Sequence, residues 1–282
     1  MSQWFLFLPQ YRQTMPELVD RARAAEANGF DGIAFLDHLE TPMAADQPLW
    51  EAMTAATWVA AKTERLRIGH LVLCDAFRHA AVLAKQAVTL AEASEGRFEL
   101  GLGSGSIPDE LTKFDITGDG GTARVARLAR TLAMLHECWG LDGDRVQAPT
   151  PSRPIPILLA GKGPRMLELV RRYADWWNLP ATQIDEVPAL LPTVAPARAS
   201  VQQMVTFIRP DADRDAVIDL SRRRFGYLGT GLVCGDAEEL RAHFSDLAAQ
   251  GVQRFYVWFS DFAPTDTIEE FGRSVIASFA GA

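Results

Sequence analysis

Cysteine is scarce: Cys74, Cys138 and Cys234 are the only three in 282 residues. An odd, widely spaced set forms neither a disulfide framework nor a zinc pattern, and it suits a reducing compartment. No other metal-ligand spacing occurs, so no metal is expected. Basic residues do not dominate either. A net charge of −8 with no strongly basic segment argues against a nucleic-acid partner. Long apolar runs are missing: the opening "MSQWFLFLPQ" is too short to span a bilayer and lacks a basic n-region and a cleavage site. It reads as a strand, and the chain as a cytoplasmic protein without a membrane partner. Two phosphate-binding motifs are absent as well. No G-x-x-x-x-G-K-[S/T] occurs, and G-x-G-x-x-G fails because Gly101, Gly103 and Gly105 alternate before Ser106, Ile107 and Pro108. No clear helix opens there.

With 48% apolar residues the chain can bury a large core, either one barrel or two smaller domains. A unit recurs: a helical pattern, a terminating glycine, a short strand. Thr14 and Glu17 form a capping box for a helix ending at Gly29, before "FDGIAFLDH". "HAAVLAKQAVTLAEASE" aligns Leu83, Ala87, Leu90 and Ala91 on one face, stops at Gly96 and yields to "RFELGLG". Asp236 and Glu239 cap a helix that ends at Gly251 before "VQRFYVWF". Strands are predicted over 3–8, 31–37, 66–73, 97–103, 155–161, 175–179, 201–208 and 253–259. Apolar runs such as "IGHLVL" suit buried parallel strands, and eight such units predict a (β/α)₈ TIM barrel over 1–282 as a single domain.

Barrel chemistry gathers at the C-terminal ends of the strands. Those ends carry Asp37-His38, Cys74-Asp75, Gly103-Ser104-Gly105-Ser106, Ala160-Gly161-Lys162-Gly163 and Asn178. In "AGKGPRMLELV", Pro164 suits the first helical turn, while Gly161 and Gly163 free backbone N–H groups at the positive helix end. Lys162 adds a cation, so a phosphate is a natural guest, against the plainer reading of a tight turn. His38 follows an apolar strand and can move a proton near neutral pH, or it can simply satisfy a loop carbonyl. His70 reads as a packed core residue, His79 as ordering a first helical turn, and Cys74 as a small buried residue in preference to a nucleophile. Asp75 either caps a turn or meets a ligand. Arg222, Arg223 and Arg224 read as solvated helix charge, and Trp4, Trp176 and Trp177 as barrel packing.

Taken together these segments resemble the bacterial luciferase-like flavin and deazaflavin oxidoreductases. "GFDGIAFLDHL" resembles the family's second strand, and "RIGHLVLCDAFRHAAVLAKQAVTLAEASEGRFELGLGSG" its third and fourth βα units. "PIPILLAGKGPRMLELVRRYADWWN" resembles the fifth and sixth strands, and "GDAEELRAHFSDLAAQGVQRFYVWF" the closing unit. The D-H-L at 37–39 and the R-H-x-A-x-L-A-K run from Arg78 to Lys85 are most similar to the branch using coenzyme F420.

The resemblance implies a hydride-transferring oxidoreductase acting on a small organic substrate. It implies His38 near the reactive side of the deazaflavin ring, Leu73, Cys74 and Asp75 forming a bulge and contacts behind it, Gly103, Ser104 and Gly105 along the cofactor's side chain, and Ala160, Gly161, Lys162 and Gly163 at its phosphate. The alternatives are a monooxygenase using FMN (flavin mononucleotide) and a non-catalytic flavin-binding relative. Family members often pair, and apolar barrel helices would permit a homodimer. Some deazaflavin dehydrogenases carry a proton-donating glutamate where this chain has Ser106, which weakens a sugar-phosphate assignment. The short "LDGDRVQAP" before the fifth strand suggests a trimmed substrate-covering insertion.

Overall fold

Thr14 and Glu17 close the first helix as their spacing predicts: the Glu17 carboxylate accepts from Thr14 N at 2.6 Å, and Thr14 Oγ1 accepts from Glu17 N. Asp236 and Glu239 repeat the device near the other end of the chain. Gly29, Gly96 and Gly251 take positive φ where helices end, the conformation that costs glycine least. Local signals thus cut the chain into alternating units.

The computed structural model describes residues 2–42 and 44–279. Its strands are β1 (Gln3–Phe7), β2 (Gly32–Phe35), β3 (Arg67–His70), β4 (Leu73–Cys74), β5 (Leu100–Gly103), β6 (Ile157–Ala160), β7 (Trp176–Leu179), β8 (Arg198–Phe207), β9 (Leu232–Gly235) and β10 (Val252–Phe259). The helices are α1 (Met15–Ala27), α2 (Ala52–Ala60), α3 (Ala80–Ala93), α4 (Pro108–Lys113), α5 (Gly121–Cys138), α6 (Pro164–Tyr173), α7 (Val187–Leu190), α8 (Arg214–Phe225), α9 (Ala237–Ala249) and α10 (Thr265–Ser274).

All strand pairs are parallel, in the order β3-β2-β1-β10-β8-β7-β6-β5-β4. The ring closes because β3 and β4 are halves of one strand, interrupted at a cis Leu71–Val72 peptide. The first half pairs with β2, the second with β5, and Ile68 also bonds to Arg97 O and Glu99 N beside β5. The fold is the expected TIM barrel.

Three details differ from the sequence expectation. The third strand is broken where a continuous run was expected. β9 was not anticipated: "LVCG" is short and mostly half-buried, and it pairs with residues 204–207 of β8, above the stretch 198–201 that pairs with β7. A helix does open after the glycine loop. α4 starts at Pro108, whose fixed φ suits the first turn, with Asp109 and Glu110 at its positive end.

At the N-terminal end of the barrel the core is polar. Arg254 on β10 is fully buried and meets Glu99 through two bonds, Nη1 to Oε2 at 2.5 Å and Nη2 to Oε1 at 3.1 Å. Gln3 Oε1 accepts from Arg254 Nε and Nη2, and Arg67 Nε also reaches Glu99 at 2.5 Å. The Arg254 guanidinium lies against Phe5 and Trp176, 4.1 and 3.8 Å from the ring centroids. Burial pushes the neighbouring Tyr256 phenol up to about 12. Trp4, Trp176 and Trp177 are all core residues. Removing one partner of a buried ion pair strands the other charge, at about 3–5 kcal/mol. Glu99→Ala should therefore lower the unfolding free energy by about that amount in urea titrations. A loss of under ~1 kcal/mol, the size of a surface pair, would mean the floor is not what closes the barrel.

Candidate functional site

Every parallel strand ends at the same mouth, and the site is built there from β2 onward. Gln10, fully buried, clamps the chain just past β2: its amide nitrogen donates to Leu36 O at 2.6 Å and its oxygen accepts from Leu36 N. Asp37 follows and turns inward. It accepts from Cys74 N at 2.8 Å and takes both ends of the Arg78 guanidinium at 2.6 and 3.0 Å. Arg78 also reaches Glu51, the cap of α2, at 2.5 Å. Although burial opposes it, bonds from Thr54, Arg78 and Met53 hold the Glu51 carboxyl down to about 2. Asp37 is thus a pin between β2 and β4.

His38 comes next and faces a cavity of about 360 Å³. Leu73, Cys74, Gly103, Ser104, Gly105, Ala160, Gly161 and Lys162 line the same cavity, with Asn178 and Gln202 from β7 and β8. The expected residues therefore converge, with two exceptions. Gly163 lines a neighbouring groove of about 520 Å³ that shares Ser104, Ala160, Gly161 and Lys162 with the cavity. Asp75 lies outside the lining: it is buried and pairs with Arg127 of α5 at 3.0 Å. That geometry favours a structural carboxylate over the expected ring contact. The irregular backbone expected at Leu73 to Asp75 lies earlier, at Leu71–Val72, and both of those residues line the cavity.

The glycines answer to two different demands. A side chain at Gly101 would collide with His70 O at 1.9 Å, and one at Gly103 with Val72 at 2.6 Å, so β5 needs glycine to pass the strand break. Gly163 is different: a Cβ there meets nothing within 4 Å. It is the N-cap of α6 and offers no side-chain bond to the first turn. Across the groove Gly120 caps α5 in the same bare way, with Gly121 and Thr122 on the wall. Two positive helix ends thus face one groove. Lys162 has its charge answered by Glu186 at 2.5 Å, so the pull on an anion comes chiefly from backbone N–H groups.

The sequence reading missed Glu110. It is buried on α4 and bonds to His38 Nδ1 at 2.9 Å, to Leu39 N at 2.7 Å and to Glu40 N at 3.3 Å. Ser106, where a carboxylate was sought, lines the same cavity. The signal was P-D-E itself, a proline opening a helix with acids in its first turn.

A model of luciferase-like monooxygenases matches residues 4–207. The chain belongs to this family. Within this luciferase-like family it is 30% identical over 233 residues to an F420-dependent glucose-6-phosphate dehydrogenase of Nakamurella multipartita, covering 73% of this chain and 67% of that protein. It is 29% identical over 203 residues to an F420-dependent hydroxymycolic acid dehydrogenase of Mycobacterium tuberculosis, covering 67% and 56%. Matches to such relatives span from 50% to 69% of their length. The fold superposes on an F420-dependent secondary alcohol dehydrogenase solved with an F420-acetone adduct, at a TM-score of 0.82, 17% identity and 98% coverage of each chain. It also matches a tetrahydromethanopterin reductase of Methanopyrus kandleri at 0.75, 17% and 99% of each chain.

Other polar groups fall outside this chemistry. Among the described residues no cluster of three or more His, Cys, Asp or Glu could hold a metal, and no helix is long and apolar enough to cross a membrane. Arg222, Arg223 and Arg224 are exposed in the last turn of α8, and His79 Nδ1 caps α3 at Ala81 N. Burial raises the Cys74 thiol to about 11. His70 is buried against Ala52 O, and burial pushes it down to about 4. Its ordinary value is 6.5, so below that pH the unfolded chain takes up a proton that the folded one refuses. The contribution of His70 should be full above pH 6.5 and fall by up to about 3 kcal/mol on the way to pH 4. Urea midpoints measured across that window should show the slope, and His70→Gln should flatten most of it; an equal slope in both proteins would acquit His70.

Proposed function

We propose that the chain is a coenzyme F420-dependent oxidoreductase that moves hydride between the deazaflavin and a small organic substrate. The observation that carries this reading is the joined pair of spaces. A cavity walled by His38, Leu71 to Cys74 and the β5 glycine loop adjoins, across Ser104, Ala160, Gly161 and Lys162, a groove headed by two bare helix N-termini. The names of the relatives support the same cofactor.

The residues present fit that group. The cavity has the size of a small-molecule site, mostly apolar with a few placed polar groups. Gly103, Ser104 and Gly105 border its exit, and the space above Gly163 leaves the N-terminus of α6 open to a phosphodiester. When bound, the deazaflavin supplies a two-electron hydride carrier at its C5 position. The chain's own residues bind, orient and handle the balancing proton. His38 takes the hydroxyl proton of an alcohol, or returns one to a carbonyl oxygen, as the C–H bond breaks or forms. Leu36, Leu71, Val72, Ile107 and Leu111 keep water from the transfer. With Ser106 unable to give a proton, His38 is the group on this wall suited to do so.

Tryptophan fluorescence of the purified protein, titrated side by side with F420 and flavin mononucleotide, tests the cofactor. Tighter F420 binding is expected. Tighter flavin binding would make the protein a flavin monooxygenase, cofactor binding without turnover on any substrate would favour the non-catalytic relative, and binding of neither would overturn the cofactor reading. His38→Ala should cut kcat by about 10²–10⁴ while F420 still binds; undiminished turnover would remove His38 from the reaction. Gly163→Asp places a capping carboxylate where the phosphate belongs. It should hold or raise the melting temperature yet weaken F420 by about tenfold or more. Unchanged affinity would move the phosphate elsewhere.

A further inference from the structure

We infer that Glu110 is a positioning residue that sets the protonation of His38 and holds it at the cavity wall. The inference rests on the reading that His38 exchanges the proton. One carboxylate makes three bonds: Oε2 to His38 Nδ1 at 2.9 Å, and Oε1 to Leu39 N at 2.7 Å and Glu40 N at 3.3 Å. It is 5% exposed, and His38 17%, so water competes little for either. Lys113, one turn along α4, pairs with Glu40 and fastens the same loop a second time. These bonds tie the loop after β2 to α4, 72 residues apart at the His38–Glu110 bond.

The chemistry follows from the acceptor. Imidazole is a stronger base than a carboxylate, so the proton shared in this bond sits on Nδ1. That leaves the lone pair on Nε2, the nitrogen available to a substrate hydroxyl. When Nε2 takes the proton, the ring carries both N–H groups and a positive charge. The Glu110 carboxylate then faces that charge and stays ionised, while the substrate's C–H electron pair leaves as hydride to the deazaflavin. In the reverse direction the same imidazolium gives its Nε2 proton to the carbonyl oxygen. A histidine oriented by a buried carboxylate is the arrangement other proton-transferring sites use, and losing the carboxylate there installs the wrong tautomer. The carboxylate absent at Ser106 is thus replaced by one that acts through His38.

Glu110→Gln keeps the size and the acceptor for Leu39 N but offers Nδ1 an N–H donor. Its effect on the ring is readable without cofactor, from the ¹⁵N shifts of the His38 ring nitrogens followed across a pH series. Wild type should show a protonated Nδ1 and a bare Nε2, and the Gln variant the reverse. Turnover should fall about 10²-fold or more, in kcat rather than KM, with F420 affinity within about twofold of wild type. Glu110→Asp, which restores the charge, should recover part of the rate. A wild-type ring protonated on Nε2, or a Gln variant with unchanged tautomer and rate, would overturn the inference. If neither protein bound F420, the cofactor reading would fall, whereas the ring-nitrogen shifts decide the positioning of His38 on their own.

Discussion

The barrel closes around an ion pair that crosses it. Arg254 on β10 and Glu99 at the start of β5 come from opposite sides of the ring, and Gln3 and Arg67 join them from β1 and β3. Two buried charges are tolerable only when nearly every donor and lone pair is used, and here the aromatic faces of Phe5 and Trp176 complete the enclosure. The consequence is directional. A polar, fully paired floor fixes the lower ends of the strands, leaving the upper ends free to diverge into loops of unequal length. β8 shows this plainly, pairing with β7 below and β9 above.

On that floor the mouth is assembled by cross-links between loops rather than by strand pairing. Asp37 with Arg78, Gln10 with Leu36, and Glu110 with His38 each tie one strand end to a distant element. The interrupted third strand contributes in another way. Because it passes from β2 to β5 at Leu71–Val72, it presses its own backbone toward the cavity, and Gly101 and Gly103 make room for it. In the glycine loop, Gly101 and Gly103 answer to packing against the strand break, and Gly103, Ser104 and Gly105 line the cavity as well.

What the sequence revealed was what short windows encode. Capping pairs, C′ glycines and apolar runs are local, and the strands they imply were all found. Cavity residues at strand ends were legible because the barrel places strand ends together, whatever the details. The remainder depends on pairings between distant segments. Nothing in "IPDELTK" announces that Glu110 meets a histidine 72 positions earlier, since α4 is too short for a periodic pattern. Asp75 has the same difficulty in reverse: its partner Arg127 lies 52 residues away on α5, so a neighbour of Cys74 turns from the cavity. β9 is mostly half-buried and lacks the apolar run of an interior strand.

Cys74 has a bearing on durability. Its side chain borders the cavity beside Asp37 and Gly105, yet burial holds the thiol at about 11. At neutral pH burial keeps this group protonated, and a neutral thiol is a poor nucleophile. Electrophiles that enter, such as aldehydes or conjugated ketones, meet sulfur in its inert form. Burial thus disfavours alkylation at this part of the wall.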